Sequence, residues 1–232
     1  MKKFTLWLCC AVVAAFVSLA YGQDNKNTAP GFGGLSRADT VVLMPVDVEL
    51  FEISAGGVPA PKADWTALAL KHMNAAIAQR KTAWGLSSKQ LTESEADDFA
   101  DQVSLHAAVA QSIALHHSMG GVWALPTKEG QLRWSFGDAM KPLAEKSGSR
   151  YALFVWIRDS YASAERKAAM VAFALLGVGM TGGVQIGYAS LIDLSDGRVV
   201  WFNRLARNYG DLRDAAGAQE SIEALLANFP VR

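Results

Sequence analysis

Residues 175–187 read LLGVGMTGGVQIG, and Gly177-x-Gly179-x-x-Gly182 inside them has the glycine spacing of a dinucleotide-binding loop. In such a loop a strand feeds a tight glycine turn that opens a helix, whose N-terminus holds a pyrophosphate. The flanks here run the other way. The lead-in ERKAAMVAFALL is rich in the helix formers Ala, Met and Leu, while the exit VQIGYASLIDL alternates as a strand does. Helix, glycines, strand is the reverse of a phosphate cradle, so no cofactor is expected. The same stretch is too short to span a bilayer. Residues 168–180 would reach roughly 20 Å as a helix, against a hydrocarbon core of about 30 Å. Three destinations stay open for this apolar run: core, partner interface or membrane surface.

The other chemistry-bearing residues are sparse. The histidines are His72, His106, His116 and His117. His106 and His117 lie near one face of a helix but roughly 16 Å apart along it, so they cannot share a metal. No H-E-x-x-H occurs, and no G-x-S-x-G elbow; Gly148-Ser149 precedes a strand rather than joining strand to helix. Asp47 and Glu49 stand two apart on an alternating stretch and face the same way. Paired carboxylates can do acid–base work, but one wet face of a strand explains them as well. Trp65, Trp84, Trp123, Trp134, Trp156 and Trp201 are expected in or near the core, with Trp201 at its edge. No catalytic, cofactor-binding or metal-ligating residue is assigned.

The elements that must position these residues read as follows. Thr40–Ile53 is a strand, with a continuous apolar run at Val41–Met44, alternation over Val46, Val48 and Leu50, and Pro45 as a bulge or edge mark. SAGGVPAP is a loop. Pro61–Arg80 is a helix, and Ser88–Met119 a second, long one ended by Gly120-Gly121. Val122–Leu125 is a short apolar strand piece. Gly137–Lys146 is a third helix. Tyr151–Ile157 (YALFVWI) is a buried strand closed by Arg158-Asp159. Gln185–Leu194 and Arg198–Arg204 flank Ser195-Asp196-Gly197 as a β-hairpin, and Asp211–Asn228 is a last amphipathic helix. This is an α/β chain of α+β type: a single domain over residues 39–229, with a mixed β-sheet packed by helices and a C-terminal β-hairpin followed by a helix.

The first residues point to a compartment. MKKFTLWLCCAVVAAFVSLAYGQ has a two-lysine start, an apolar core and Ala20-Tyr21-Gly22 ahead of a cut, the layout of a signal peptide over residues 1–22 cleaved after Gly22. Cys9 and Cys10, the only cysteines, sit inside the apolar core and leave with it, so the mature chain forms no disulfide. Residues 23–38 (QDNKNTAPGFGGLSRA, with Asp39 following) read as a flexible leader. Losing Lys2 and Lys3 leaves 20 basic against 22 acidic residues, and no Lys/Arg cluster favours nucleic acid.

YALFVWIRDSYASAERKA, GYASLIDLSDGRVVWFNR and GDLRD before a terminal helix resemble a family of uncharacterised bacterial periplasmic proteins; the likeness covers residues 150–230 and extends to VVLMPVDVELFEIS and KADWT. More distantly, the order of strand, helix, strand, hairpin and helix is similar to the amino-terminal domain of the Tol-system propeller protein and to the curli secretion lipoprotein. The resemblance implies a periplasmic, non-enzymatic cell-envelope protein that acts by protein or membrane-surface contacts. The alternative is a periplasmic hydrolase or transferase with a site that no motif marks. The contact segment expected is the apolar Gly-rich insert over 164–183, with Met170, Phe173, Leu175, Leu176, Val178 and Met180 as its side chains.

Overall fold

The structure is a computed structural model and describes residues 26–232. The signal segment, its cleavage site and both cysteines lie outside the described residues. A seven-stranded mixed sheet forms the centre. Its strands are β1 (Thr40–Leu43), β2 (Asp47–Ile53), β3 (Pro59–Pro61), β4 (Ser87–Gln90), β5 (Tyr151–Ala162), β6 (Gln185–Asp193) and β7 (Arg198–Arg207). The helices are α1 (Ala63–Trp84), α2 (Glu93–Ala96), α3 (Ala100–Ile113), α4 (Lys141–Ser147), α5 (Ala164–Ala174) and α6 (Ala215–Leu225). The α/β fold expected from the sequence is the fold observed.

β5 is the spine. One edge pairs antiparallel with β6, from Tyr151↔Asp193 to Asp159↔Gln185. The other edge pairs parallel with β1 and then β2. Leu43 faces Leu153 and Asp47 faces Trp156, so three residues on one strand oppose two on the other. That is a bulge at Pro45, which has no N–H to give the ladder. β4 adds parallel to β1, β3 antiparallel to β2, and β7 antiparallel to β6.

The apolar run YALFVWI is buried on both faces because it feeds two cores. Tyr151, Leu153, Val155 and Ile157 pack with Ala69, Met73, Ile77, Ile222 and Leu225 of α1 and α6. Ala152, Phe154 and Trp156 point the other way, to Ala110 and Ile113 of α3 and to Phe136, Met140 and Leu143. Period-two alternation therefore disappears from the sequence although it holds in the structure.

Several expectations need correction. The leader is not free from Thr28 onward. Thr28 bridges Trp201, Leu35 is fully buried and pairs with Val231, and Ala29 N–H donates to Val200 O. The long helix expected over Ser88–Met119 is broken: β4 takes its first residues because they extend the edge of β1. Thr92 and Glu95 then cap α2 reciprocally, and a 3-10 turn (Asp97–Phe99) and a π turn (Ala114–Met119) bracket α3. No strand forms at Val122–Leu125: Gly121–Trp123 is a 3-10 turn, with Val122 93% accessible. SAGGVPAP contains β3, a proline-bounded edge strand. α1 runs past Arg80 to Trp84, where Gly85 takes a left-handed turn at φ +61°. β5 continues through Arg158-Asp159 to Ala162 because β2 and β6 both accompany it. Trp201 is fully buried rather than at the core edge.

Candidate functional site

The chemistry gathers where the parallel strands β2 and β5 end. α5 starts there on a clear local signal: the Ser163 side chain accepts from Arg166 N–H at 3.1 Å, Glu165 lies in the first turn, and alanines follow. The helix stops in a Schellman arrangement, with Val178 N–H donating to Phe173 O and Gly177 N–H to Ala174 O, Gly177 standing at φ +77°. Residues 178–184 return to β6. Their base is locked: Ser160 N–H and Oγ–H both donate to Val184 O, and Val184 N–H donates to Ser160 Oγ. A Cβ built on Gly183 would run into the Ser160 carbonyl oxygen, so only glycine fits there.

The six insert side chains named above fall on this arm. Phe173, Leu175, Leu176 and Val178 are exposed, Leu175 by 84% and Leu176 by 75%; Met170 and Met180 are half-buried. Val171 and Val184 are exposed as well, and every residue from 171 to 179 is exposed. Only Arg166 of α5 is buried. The fingerprint Gly177-x-Gly179-x-x-Gly182 thus lies between a preceding helix and a following strand, as the sequence order required.

Beneath the arm is a polar network. Asp159 is 3% exposed. Its Oδ2 accepts from Tyr161 Oη–H at 2.5 Å and Gln185 Nε2–H at 2.7 Å, and its Oδ1 accepts from Ser160 N–H at 2.8 Å. Burial pushes its carboxyl up to about 6 against the pull of those three bonds. Burial and the Asp159 carboxylate likewise raise the Tyr161 phenol, which accepts from Leu212 N–H at 2.8 Å. Gln185 Oε1 accepts from Arg207 Nε–H and Ser221 Oγ–H, and Arg207 pairs with Glu220 at 2.6 Å. Arg213 grips Asp211 through two nitrogens and lies over the Tyr161 ring at 3.9 Å. A cleft of about 240 Å³ opens between this network and the arm, lined among others by Asp159, Lys167, Met170, Asn208 and Tyr209. On the far side of Ser160 an apolar groove of about 330 Å³ is lined by Phe51, Ile53, Trp156 and Ile186.

The remaining candidates resolve into structural roles. Arg158 pairs with Asp47 at 2.7 Å and Glu49 at 3.3 Å, so the two carboxylates hold one guanidinium rather than a substrate. The same guanidinium lies over Trp156 at 4.6 Å. His106 Nε2 and Ser190 Oγ are 2.9 Å apart, a pairing that resembles a nucleophile and its base. Both are buried in the α3 core, with His106 stacked on Phe154, and burial drives the imidazole down to about 3. At 2% and 0% exposure the two residues present almost no surface to solvent. His116 Nδ1 and His117 Nε2 lie 2.7 Å from Trp123 O and Lys26 O, and no three metal-ligating side chains cluster among the described residues. Sequence reasoning missed the buried partners Gln185, Arg207 and Ser221, which converge from separate elements.

No family model matches the chain, and no curated protein matches it in sequence. Solved structures similar to it include the PelC dodecamer from Paraburkholderia phytofirmans, at 16% identity and TM-score 0.42, covering 88% of this chain and 94% of that one. The LpoB C-terminal domain from Salmonella enterica is similar at 10% identity and TM-score 0.29, over 78% of this chain and 88% of that one. Lipoprotein GNA1162 from Neisseria meningitidis is similar at 10% identity and TM-score 0.31, over 82% and 94%. The likeness expected to the Tol-system and curli proteins gains no specific support from these structures.

Proposed function

We propose that this chain is a non-enzymatic, periplasmic cell-envelope protein that holds on to a membrane surface through the α5 arm. The observation that carries the reading is the arm's exposure: residues 171–179 project from the domain with apolar side chains on every side. A helix that docks in a protein groove shows one apolar face and keeps the other polar. This one has no polar face beyond Lys167; from Ala168 to Val184 the only polar side chain is Thr181. Apolarity all round suits a medium that surrounds the tip. Eleven residues of helix give about 16 Å, and no helix among the described residues is long and apolar enough to cross a membrane. The arm is therefore too short to span the bilayer and enters it tip first.

The test is flotation of the chain from Gln23 onward with vesicles of phosphatidylcholine and phosphatidylglycerol in equal parts. The comparison replaces 168–182 by a short Gly-Ser link. The expected result is flotation of the intact chain, and a folded variant that stays in the aqueous fraction. An intact chain that never floats, or a variant that fails to fold, overturns the reading. In the second case the arm is part of the core.

A further inference from the structure

We propose that Arg166, with Lys167 beside it, is a site for the phosphate of an anionic phospholipid headgroup at the root of the arm. This rests on the membrane reading above and adds the chemistry of the surface recognised. Arg166 is 8% exposed, yet it forms no ion pair among the described residues. Its Nε–H donates to Thr181 O at 3.0 Å and its Nη1–H to Ser54 O at 3.4 Å. Nη2 has no hydrogen-bond partner among the described residues, so its two N–H donors are uncommitted. A buried guanidinium normally stands against a carboxylate. Glu165 is the arm's only carboxylate, and it does not pair with Arg166 although it is the adjacent residue. From Arg166 to Ile192 the sequence contains no Asp or Glu. Lys167 is exposed, lines the polar cleft and has no partner among the described residues.

Distance fits the same occupant. Arg166 stands eight residues before Ala174, the last residue of α5, about 12 Å along the axis. With the tip entering first, the guanidinium follows about 12 Å behind it, in the polar headgroup zone rather than the hydrocarbon. Charge-assisted N–H donors fixed in the guanidinium plane meet a phosphate oxygen in a set direction, which the freely rotating Lys ammonium does not reproduce at that position. The two main-chain carbonyls hold the fork in place beforehand, so ordering it on binding costs little.

The experiment compares binding to phosphatidylcholine vesicles with binding to the equal mixture containing phosphatidylglycerol. The intact chain should prefer the mixture, and the preference should shrink as salt rises. Lys167→Gln should lose about fivefold on the mixture and nothing on phosphatidylcholine, the worth of one basic residue at such a surface. Arg166→Lys keeps the charge, and melting at the intact chain's temperature shows that it folds; it should also lose preference for the mixture. Phosphatidylcholine carries the same phosphate beside a neutralising choline, so equal, arm-dependent binding to both vesicles overturns the anionic-headgroup site and leaves the membrane reading standing. Binding to neither overturns that reading. Inorganic phosphate, at ionic strength matched with chloride, should leave the melting temperature of the vesicle-free chain unchanged. A rise in melting temperature together with equal vesicle binding assigns the site to a free anion instead.

Discussion

Replacing Asp159 by Asn should remove a pH-dependent part of the stability, and the structure sets its sign. The carboxyl sits at about 6 in the folded chain, against about 3.9 when unfolded. The folded pKa is raised, so the stabilising contribution is fully present below about pH 4 and is lost as pH rises through 6. A difference of about two units at 1.36 kcal/mol each amounts to about 3 kcal/mol. His106 runs the other way: its folded value near 3 makes stability fall as pH drops below about 6.5. The measurement is therefore a difference. Urea unfolding of the wild type and of Asp159→Asn at matched pH values cancels His106 and every other shared group. The wild-type-minus-variant free energy should fall by about 2 kcal/mol between pH 4 and pH 7, the rest of the difference lying below pH 4. A difference that stays flat, or rises, would show that Asp159 is not desolvated and that the cleft is open to water at its floor.

Two further substitutions probe the scaffold that holds the arm. Gly183→Ala should destabilise the domain by more than about 2 kcal/mol in denaturant unfolding, because the new methyl group meets the Ser160 carbonyl oxygen; a change within about 0.5 kcal/mol would mean that the arm's return leg swings freely. Leu35→Ala should cost about 2–5 kcal/mol, as a fully buried leucine does, and a near-neutral result would return this segment to the status of a loose leader.

The sequence showed most of the sheet and little of the site, for physical reasons. β5, β6 and β7 were legible because Tyr151–Ile157 is apolar throughout and Asp196-Gly197 marks the hairpin turn. The bulge was legible in Pro45. The break before α2 was also written in the sequence: Thr92 and Glu95 have capping-box spacing, yet the helical periodicity read across Ser88–Met119 hid it. β4 offered no such signal, because Ser87–Gln90 becomes a strand only when the edge of β1 is beside it. The order in residues 28–38 is not legible from Gly and Asn composition, which says nothing about Leu35, whose partner is Val231 at the other end of the chain. For the arm, the apolar run was legible but not its exposure. Charge was visible at Arg158, Asp159, Arg166 and Lys167, but not that Arg158 finds two carboxylates while Arg166 finds none. That difference depends on which strand ends meet.

The parallel pairing of β5 with β1 has a consequence for how the chain reaches this shape. Arg150 N–H meets Thr40 Oγ1 across a separation of 110 residues, and Arg232 meets the Gly33 carbonyl across 199. A hairpin such as β6–β7 closes within about 1–10 μs, but contacts so distant in sequence must first overcome loop-closure entropy before burial rewards them. A ribosome adding about 5–20 residues per second therefore releases β1 and β2 roughly 5–20 seconds ahead of the strand that covers their inner edge. For that interval VVLM and ELFEI have β4 and β3 to pair with on their outer edges, but their inner edges stay open to mispairing with another nascent chain. Aggregation during synthesis, rather than loss of the finished fold, is the hazard this topology carries, and a holding chaperone that covers residues 40–53 would remove it.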